Sequence, residues 1–404
     1  MKKAVYALGL LALTTVTSCT DNTYDLSKDN VDWSMQTSGD VLWLPDGSTA
    51  NAMLKDLFSV SEGQNLKFIK DPETGRDFYC MQGDGEQDAT VTMPTATATW
   101  SGAVTIDETS TTVDLSNIPM ENTDAVESML PYMYNLNRVE MCDCGIPYED
   151  MNALNKRHDD VRFVWMIHMS HYNFKTDIRG FRATTEHYGI ITPETAWNFT
   201  YCEDLICLDI GHRAPDDLSF LTEMPQLVYL MINGSFNLYD ITPVGTLKNL
   251  RWLEMFMCYG VTDLSPLLGC TSLSDLNIIV AGTNNQQANF DVISQMTWLD
   301  RLWFSNAQLT VEQEQQLHEL NPKLITWRGY GKNDSTGGSW RADLDYYEMR
   351  DILFPGADRW YMGPFGGNIP FRVIDGVRYD DVDGEWVALG NDPNEGVDWN
   401  AHMA

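Results

Sequence analysis

A periodic pattern of apolar residues runs through the middle of the chain, and no other sequence feature constrains the fold as strongly. Five consecutive segments begin with leucine and carry apolar residues again at their fourth and sixth positions. These segments and a final partial copy recur at intervals of about 22 to 26 residues, and they begin at Leu205, Leu227, Leu250, Leu273, Leu299 and Leu324. A second element recurs with the same period, beginning at Asp217, Asp240 and Asp263. Two signals in one register predict a chain built from stacked repeats.

Repeats of this length predict a leucine-rich-repeat solenoid. One strand and turn cannot bury an apolar face alone, so stacked copies share an elongated core. We expect the first, fourth and sixth residues of each repeat to point into that core, and the third, fifth, seventh and eighth to lie on an exposed concave face. Weaker copies begin at Leu136 and Val161, whereas the stretch between Val161 and Leu205 carries a degraded pattern. The repeat domain is predicted to cover residues 136–327.

Several segments resemble a known class of protein. Leu136–Ile146 and Val161–His168 resemble repeat domains of gut-associated Firmicutes and Bacteroidetes, as does the motif Tyr346-Tyr347-Glu348-Met349-Arg350-Asp351 that follows the repeats. Tyr24–Asp29 and Leu54–Phe58 resemble the membrane-proximal module of Bacteroides-type surface lipoproteins. The resemblance implies an α/β fold, namely a leucine-rich-repeat solenoid with irregular, internalin-like repeats of about 22–26 residues. It also implies a small β-rich N-terminal module and a small C-terminal α+β extension, but no activity.

The N-terminus predicts export and a lipid anchor. Lys2 and Lys3 precede the apolar stretch Ala4–Val16, which is too short to span a bilayer and is typical of a signal peptide. Val16-Thr17-Ser18-Cys19 resembles the bacterial lipoprotein box, which implies cleavage before Cys19 and lipidation of that residue. An ordinary signal peptide with a nearby cysteine is the alternative. We expect the lipid to be the only membrane tether, at the outer membrane, with the protein exposed on the cell surface or facing the periplasm.

Five regions are predicted along the chain. They are a signal peptide (1–18), a lipid-anchored β-rich module (19–87), a strand-rich entry to the solenoid (88–135), the repeat domain (136–327) and a linker with the C-terminal extension (328–404). Short strands are predicted in the β-rich module at Val41–Pro45, Asn65–Ile69 and Asp77–Cys80. The extension is predicted to contain a helix over Leu344–Leu353 and a hairpin around Asp375-Gly376 or Asp383-Gly384.

Composition narrows the classes of function. The 404 residues include 58 acidic and 26 basic side chains, giving a formal net charge of −32 at pH 7. This acidity argues against a nucleic-acid partner, because affinity for phosphate backbones comes mostly from Lys and Arg. The sequence contains no G-x-S-x-G, P-loop, H-E-x-x-H or dinucleotide-binding motif. Nothing in it therefore indicates an enzyme or a cofactor.

Cysteine and histidine residues predict no metal site. Seven cysteines follow Cys19, an odd number in a chain large enough to fold without disulfides, and we expect most to be thiols. His168 and His171 are three residues apart on a predicted strand or loop, where their rings would not converge on one metal ion as they would on a helix.

The concave face is the predicted binding site. Its exposed positions carry aromatic residues interspersed with charged ones, and Trp, Tyr and Arg are the usual anchors of protein interfaces. The predicted anchors and specificity residues are Trp165, Tyr229, Trp252, Phe256, Trp303, Asp209, Glu254 and Arg301. Exposed aromatics cost solubility unless they bind or are covered, so the alternative is that a flanking module or the tail folds over part of this face. A protein or peptide partner is predicted, and a glycan that uses the same aromatic stripe is the alternative.

Overall fold

The computed structural model describes residues 22–25, 31–36, 41–43, 65–70, 77–82, 95–100, 104–107, 109–130, 133, 135–169, 171–183, 191–282, 285–329, 344–354, 371–374, 377–382 and 385–388. The predicted signal peptide, the predicted lipidation site Cys19 and residues 330–343 of the predicted linker lie outside these ranges. The chain forms two compact units, Met1–Met166 and Ile167–Ala404. Among the described residues, no helix is both long enough and apolar enough to cross a membrane.

The first unit contains two antiparallel sheets, which are built from strands between residues 22 and 107. One has four strands in the order β1-β2-β6-β7, and the other has three in the order β3-β5-β4. The strands are β1 (Asn22–Asp25), β2 (Val31–Gln36), β3 (Val41–Trp43), β4 (Asn65–Lys70), β5 (Asp77–Gln82), β6 (Thr95–Trp100) and β7 (Val104–Asp107). The three strands predicted in this module are confirmed as β3, β4 and β5.

The same unit also contains repeat strands. β8 (Thr112–Asp114), β9 (Arg138–Glu140) and β10 (Arg162–Val164) form a parallel sheet, with α1 (Asp124–Met129) and α2 (Tyr148–Arg157) in the connections. β9 and β10 are the weak copies predicted at Leu136 and Val161. The apolar pattern of the sequence did not predict the repeat that contains β8. The buried residues Val113 and Leu115 nevertheless occupy the fourth and sixth positions of that repeat.

The second unit is built on a seven-stranded parallel sheet whose strands follow one another in chain order. After the two-stranded sheet of β11 (Met166–Met169) and β12 (Tyr172–Lys175), these strands are β13 (Gly180–Arg182), β14 (Cys207–Asp209), β15 (Tyr229–Met231), β16 (Trp252–Glu254), β17 (Asp275–Asn277), β18 (Arg301–Phe304) and β19 (Ile325–Arg328). The fourth-position leucines stand side by side, with Leu208 beside Leu230 and Leu230 beside Leu253. All five predicted repeats and the leucine-rich-repeat fold are confirmed. β13 shows that the degraded stretch contains a further repeat, in which Phe181 pairs with Leu208.

Short helices connect the strands of this sheet. They are α3 (Pro193–Ala196), η1 (Trp197–Tyr201), η2 (Ser219–Glu223), η3 (Thr242–Thr246), η4 (Ser265–Gly269), α4 (Gln286–Ile293) and α5 (Val311–Leu320), where η denotes a 3₁₀ helix. The second periodic element of the sequence forms the start of η2, η3 and η4. In each, an aspartate carboxylate accepts a 2.8 Å hydrogen bond from the backbone N–H two residues later, the acceptors being Asp217, Asp240 and Asp263. This turn fixes the direction in which each helix leaves its loop.

Buried cysteine thiols hold neighbouring repeats together. Six cysteines are buried thiols in this structure: Cys142, Cys144, Cys202, Cys207, Cys258 and Cys270. Cys144 and Cys258 each donate a 3.2 Å hydrogen bond to a carbonyl of the preceding repeat, Leu115 and Ile232 respectively. Burial raises the pKa of both thiols to about 11, so they remain protonated and unreactive near neutral pH. The prediction of thiols is confirmed for these six, each of which is exposed by 5% or less.

The C-terminal extension has the predicted types of element. α6 (Leu344–Leu353) has the bounds predicted from the sequence. β20 (Phe371–Ile374), β21 (Val377–Val382) and β22 (Glu385–Ala388) form an antiparallel sheet. Paired strands flank both of the alternative hairpin turns, since Ile374 stands opposite Val377 and Val382 opposite Glu385. α6 lies against β20 on one side and against β13 and β14 of the solenoid on another.

Candidate functional site

Helix α6 packs on part of the concave face of the seven-stranded sheet. Its residues Tyr346 and Met349 join one buried cluster with concave-face residues of five strands or strand ends, which include Cys207, Tyr229, Met231, Trp252, Ile279 and Trp303. The rings of Tyr346 and Trp252 are 5.6 Å apart between centroids. Tyr346, Met349 and Leu353 are spaced by three and four residues, which places them on one face of a helix. The sequence of α6 therefore supplies an apolar stripe that fits this surface.

The expectation of an exposed aromatic face is wrong for most of the predicted site. Six of its eight residues are exposed by 6% or less: Trp165, Tyr229, Trp252, Glu254, Arg301 and Trp303. These side chains leave the repeat core as expected, but Tyr346 of α6 packs against Trp252, and Tyr229 and Trp303 belong to the same buried cluster as Tyr346 and Met349. The alternative, that the tail folds over part of this face, is thus confirmed for the part under α6. Asp209 and Phe256 are half-buried. Trp165 belongs to the first unit and is 2% exposed. A partner-binding role for these eight residues stays a prediction.

Buried polar groups of the concave face are bonded largely by the solenoid itself. Glu254 accepts hydrogen bonds from Trp252 Nε1 at 3.3 Å and from Asn233 Nδ2 at 2.8 Å. Arg301 lies 3.1 Å from Asp275 in an almost completely buried ion pair. The Arg301 guanidinium also lies over the Trp327 ring, 5.0 Å from its centroid. Buried charges are tolerated when they are paired, so this floor is ordered by its own contacts.

Asp209 is a concave-face carboxylate whose acidity is altered by burial. Desolvation by burial raises its pKa to about 6, although the Gly211 backbone N–H and Arg182 favour the charged form. Glu254 adds to the rise because it carries the same charge. The Arg182 guanidinium lies 3.6 Å from the Asp209 carboxylate. Asp209 therefore changes its charge close to neutral pH.

Contacts at its two ends position α6 on the sheet. At the N-terminal end, Asp345 forms an ion pair with Arg251, and Ser274 Oγ lies 3.5 Å from the same carboxylate. At the C-terminal end the helix touches the backbone of Gly180. A Cβ atom on that glycine would lie 2.7 Å from Ile352 Cγ2 and 3.0 Å from the Ile352 carbonyl oxygen. Glycine at position 180 is thus required for the helix to approach the strand this closely.

A second aromatic surface lies on the loops that follow β15 and β16. We call it the aromatic ridge; it consists of Phe236, Tyr239 and Tyr259, which are 52%, 70% and 48% exposed. The Phe236 and Tyr259 rings are 5.4 Å apart between centroids. A Cβ atom on Gly260 would lie 3.0 Å from Tyr239 Cδ1, so the Tyr239 ring rests against that backbone. The predicted binding residues do not include this surface. Its signal is an aromatic residue at the same position of two adjacent repeats, Phe236 in one and Tyr259 in the next.

The histidine pattern noted in the sequence has a local structural role. His168 Nδ1 lies 2.9 Å from Asn173 Oδ1, so the side chain connects β11 to β12. Over the part of the chain that the structure describes, no group of three or more His, Cys, Asp or Glu side chains is arranged to hold a metal ion.

Comparisons with known proteins add distant similarities in fold. A search against protein-family models found no match, and neither did a search of curated proteins. An internalin from Listeria monocytogenes is 16% identical, over 54% of this chain and 47% of the internalin, with a TM-score of 0.27. Internalin C2 from Listeria monocytogenes is 16% identical, over 42% of this chain and 77% of its own, with a TM-score of 0.29. A leucine-rich-repeat protein from Leptospira interrogans is 14% identical, over 53% and 59%, with a TM-score of 0.22.

The chain thus spans about half the length of the first of these structures. Its own parallel sheet and repeat register place it among the leucine-rich-repeat solenoids. Within that class it combines a concave face covered by a helix of the same chain with an exposed aromatic ridge on the adjoining loops.

Proposed function

We propose that this protein is a lipid-anchored binding protein of the cell envelope, without enzymatic activity, whose solenoid recognises a protein partner through the aromatic ridge. The observation that carries the proposal is the exposure of three neighbouring aromatic side chains, each 48% or more exposed, on two adjacent repeats. Contiguous exposed apolar surface marks interaction sites in soluble proteins. Tyrosine in particular is frequent among the few residues that supply most of the binding energy of an interface.

The ridge is held in place by the repeat core beneath it. Leu238 and Val261, which flank the ridge residues along the chain, are 1% and 0% exposed. The Phe236 and Tyr259 rings contact each other in a tilted arrangement, and the Tyr239 ring rests against the backbone of Gly260. A surface that is already ordered loses less entropy on binding, which improves affinity for a given contact area.

Charge favours a partner with a neutral or basic contact surface. Asp240 directly follows Tyr239 and is exposed, and the loop after Tyr259 carries exposed Asp263. The whole chain has a net charge of −32, so a strongly acidic partner would be repelled.

A cross-linking experiment tests the ridge. A photoreactive phenylalanine analogue in place of Tyr239 is irradiated in living cells, and the cross-linked partner is identified, purified and titrated with the purified proteins. We expect the Phe236→Ser/Tyr239→Ser/Tyr259→Ser variant to bind that partner about a hundredfold more weakly than the unaltered protein. The control is Trp197→Ser, which removes an aromatic side chain that is 42% exposed on η1. Equal affinity in the ridge variant and in the control would refute the proposed surface.

A glycan partner is an outcome of the same experiment. Aromatic rings also form platforms for sugars, so the unaltered protein, the ridge variant and the control are compared on immobilised polysaccharides. Loss of polysaccharide retention in the ridge variant, without any cross-linked protein, would replace a protein partner with a glycan.

The lipid anchor is tested separately. Replacing Cys19 with Ala removes the predicted acceptor of the lipid and should move the protein from the membrane fraction to the soluble fraction. Protease treatment of intact cells then distinguishes the two faces of the outer membrane. Release of the solenoid indicates the cell surface, whereas full protection indicates the periplasm and would refute surface exposure.

A further inference from the structure

The aromatic ridge lies among negative charges. The loops that follow β14, β15 and β16 carry four exposed aspartates and a single arginine, which are Asp216, Asp217, Asp240, Asp263 and Arg213. Arg213 is half-buried and donates a 3.1 Å hydrogen bond to the backbone carbonyl of the adjacent His212. The surface around the exposed rings is therefore acidic, and a basic ligand would complement it.

Three of these aspartates repeat with the solenoid. Asp217, Asp240 and Asp263 each accept a hydrogen bond from the backbone N–H two residues later, so their carboxylates are held in equivalent places on successive loops. Adjacent repeat strands lie about 5 Å apart, and like charges at such a spacing repel one another. The hydroxyl and backbone N–H of Thr242 hold the pKa of Asp240 below its usual 3.8, so this carboxylate is charged near neutral pH. Positive charges on a ligand would reduce the repulsion.

The exposed rings are suited to a cation as well. The face of an aromatic ring carries a negative electrostatic potential that attracts a guanidinium or an ammonium group. The chain uses this contact internally, since the Arg328 guanidinium lies over the Phe304 ring at 4.6 Å from its centroid. In the part of the chain that the structure describes, the rings covered by an arginine are Trp252, Trp327, Phe304 and Phe354. None of these rings belongs to the ridge.

Tyr239 is the most accessible of the ridge rings. It is 70% exposed, although one edge of the ring rests against the backbone of Gly260. The residue that follows it is the exposed and charged Asp240. A cation that lies over the Tyr239 ring can therefore also approach a carboxylate, which combines an ion pair with the contact to the ring.

We propose, resting on the proposed function of the ridge, that the partner segment it binds is basic, and that an arginine of this segment lies over the Tyr239 ring and faces Asp240. Arginine fits better than lysine because a planar guanidinium both stacks on a ring and binds a carboxylate with two parallel hydrogen bonds. A neutral segment would leave the aspartates around the ridge without a counter-charge.

Three peptides test the chemistry of the ligand on the full-length protein. Each is a fluorescein-labelled peptide in which Gly-X-Leu-Ser is repeated three times, where X is arginine, lysine or citrulline, the neutral isostere of arginine. Fluorescence anisotropy measures binding at about 0.15 M salt, where long-range attraction to the acidic chain is largely screened. We expect the arginine peptide to bind about tenfold more tightly than the citrulline peptide, with the lysine peptide between them. Equal binding of the arginine and citrulline peptides would overturn the proposal, and tighter binding of the lysine peptide would overturn the choice of arginine.

Ridge variants show where the arginine peptide binds. The Phe236→Ser/Tyr239→Ser/Tyr259→Ser variant has an unchanged net charge and should bind this peptide about tenfold more weakly. Tyr239→Ser alone should cause most of that loss, and it alters a side chain that is 70% exposed, so the fold does not depend on it. Trp197→Ser is the control and should bind like the unaltered protein. Binding that is the same in the single variant and in the control would overturn the assignment to Tyr239.

Charge variants separate a local contact from general attraction to an acidic chain. Asp240→Asn/Asp263→Asn removes two charges while an amide oxygen can still accept each loop N–H, and it should weaken binding of the arginine peptide about threefold. The matched control is Glu312→Gln/Glu319→Gln, which removes two charges from exposed positions on α5 and should have little effect. Equal losses in the two variants would show that the peptide responds only to total charge, and would overturn the proposal.

The cross-linked partner distinguishes this proposal from the proposed function. Arginine and lysine residues of the partner at the cross-linked segment are replaced by glutamine, and binding is titrated again. A partner that requires the ridge but binds equally well after these replacements would overturn the basic ligand and leave the function of the ridge standing. A partner and an arginine peptide that are both insensitive to the ridge variant would overturn both.

Discussion

The concave face and the aromatic ridge belong to the same repeats, yet one is buried and the other is exposed. Trp252 is 0% exposed and Tyr259, seven residues later in the same repeat, is 48% exposed. Both side chains leave the repeat core, so repeat position alone does not explain the difference. The cause is α6, which lies over the first surface and leaves the second uncovered. Exposure of an outward-pointing residue in a solenoid therefore depends on what the flanking chain does.

The two surfaces should respond differently to mutation. Truncation on the concave face removes packing between the sheet and α6, and therefore acts on stability. Truncation on the ridge removes side chains with little packing to lose, and therefore acts on binding. Four predictions test this division, in order of decreasing effect on the free energy of unfolding.

The largest effect is expected for Trp252→Ala. This change leaves a cavity between the sheet and Tyr346, and large-to-small changes of buried tryptophan cost about 4 kcal/mol. Tyr239→Ala on the ridge should change the free energy of unfolding by less than about 0.5 kcal/mol. Urea denaturation followed by circular dichroism measures both values. Similar costs for the two variants would contradict the comparison.

Arg301→Met should follow, at about 3 kcal/mol, because Asp275 then stays buried without the guanidinium that faces it. Asp275→Asn in the same chain should recover part of that loss. Lys323→Met provides the control, since Lys323 and Asp300 form an ion pair whose side chains are 61% and 49% exposed. Exposed pairs contribute less than about 1 kcal/mol. A loss in the control as large as that of Arg301→Met would mean that burial does not distinguish the two pairs.

Asp209 should make stability depend on pH. Burial raises the pKa of this carboxyl to about 6 in the folded protein, above its usual 3.8. The folded state therefore holds the proton more tightly than the unfolded state, so this group adds stability as pH falls from about 6 to 4 and loses it as pH rises. Two pKa units correspond to at most about 2 to 3 kcal/mol.

The comparison with Asp209→Asn isolates this carboxyl from the other acidic groups. We expect the variant to be more stable than the unaltered protein at pH 7.5, and the gap to close towards about pH 4. Urea titrations at four pH values measure the gap. A gap that does not change with pH would show that Asp209 does not titrate near neutral pH.

The smallest effect is expected at the base of the ridge. Asp240→Ala removes the carboxylate that accepts the Thr242 N–H in the turn before η3, and the loss of such a hydrogen bond costs about 1 kcal/mol. The same change at Asp263, which accepts the Ser265 N–H in the turn before η4, should cost a similar amount because the geometry repeats. Thermal unfolding measures both. A cost at Asp240 well above that at Asp263 would mean that this loop supports the ridge in a way that the repeat does not explain.

Much of the second unit follows from local sequence. The spacing of leucines predicts β14 to β18, the aspartate element marks the turns before η2 to η4, and the bounds of α6 match their prediction. β8 and β13 were missed because their apolar residues, such as Val113 and Phe181, are not leucines in a regular interval. The ridge was missed because Phe236 and Tyr259 stand outside the positions that define the repeat.

Repeat positions and element types were thus determined by the sequence, because each depends on contacts within a strand, within a turn or with the adjacent copy of the repeat. Only the tertiary structure decided which outward-pointing aromatics meet solvent. That outcome depends on contacts such as the ion pair between Arg251 and Asp345, which are 94 residues apart. A local pattern specifies that α6 has an apolar stripe, but not which surface the stripe covers. Such long-range contacts therefore decide that the concave face is buried while the aromatic ridge is exposed.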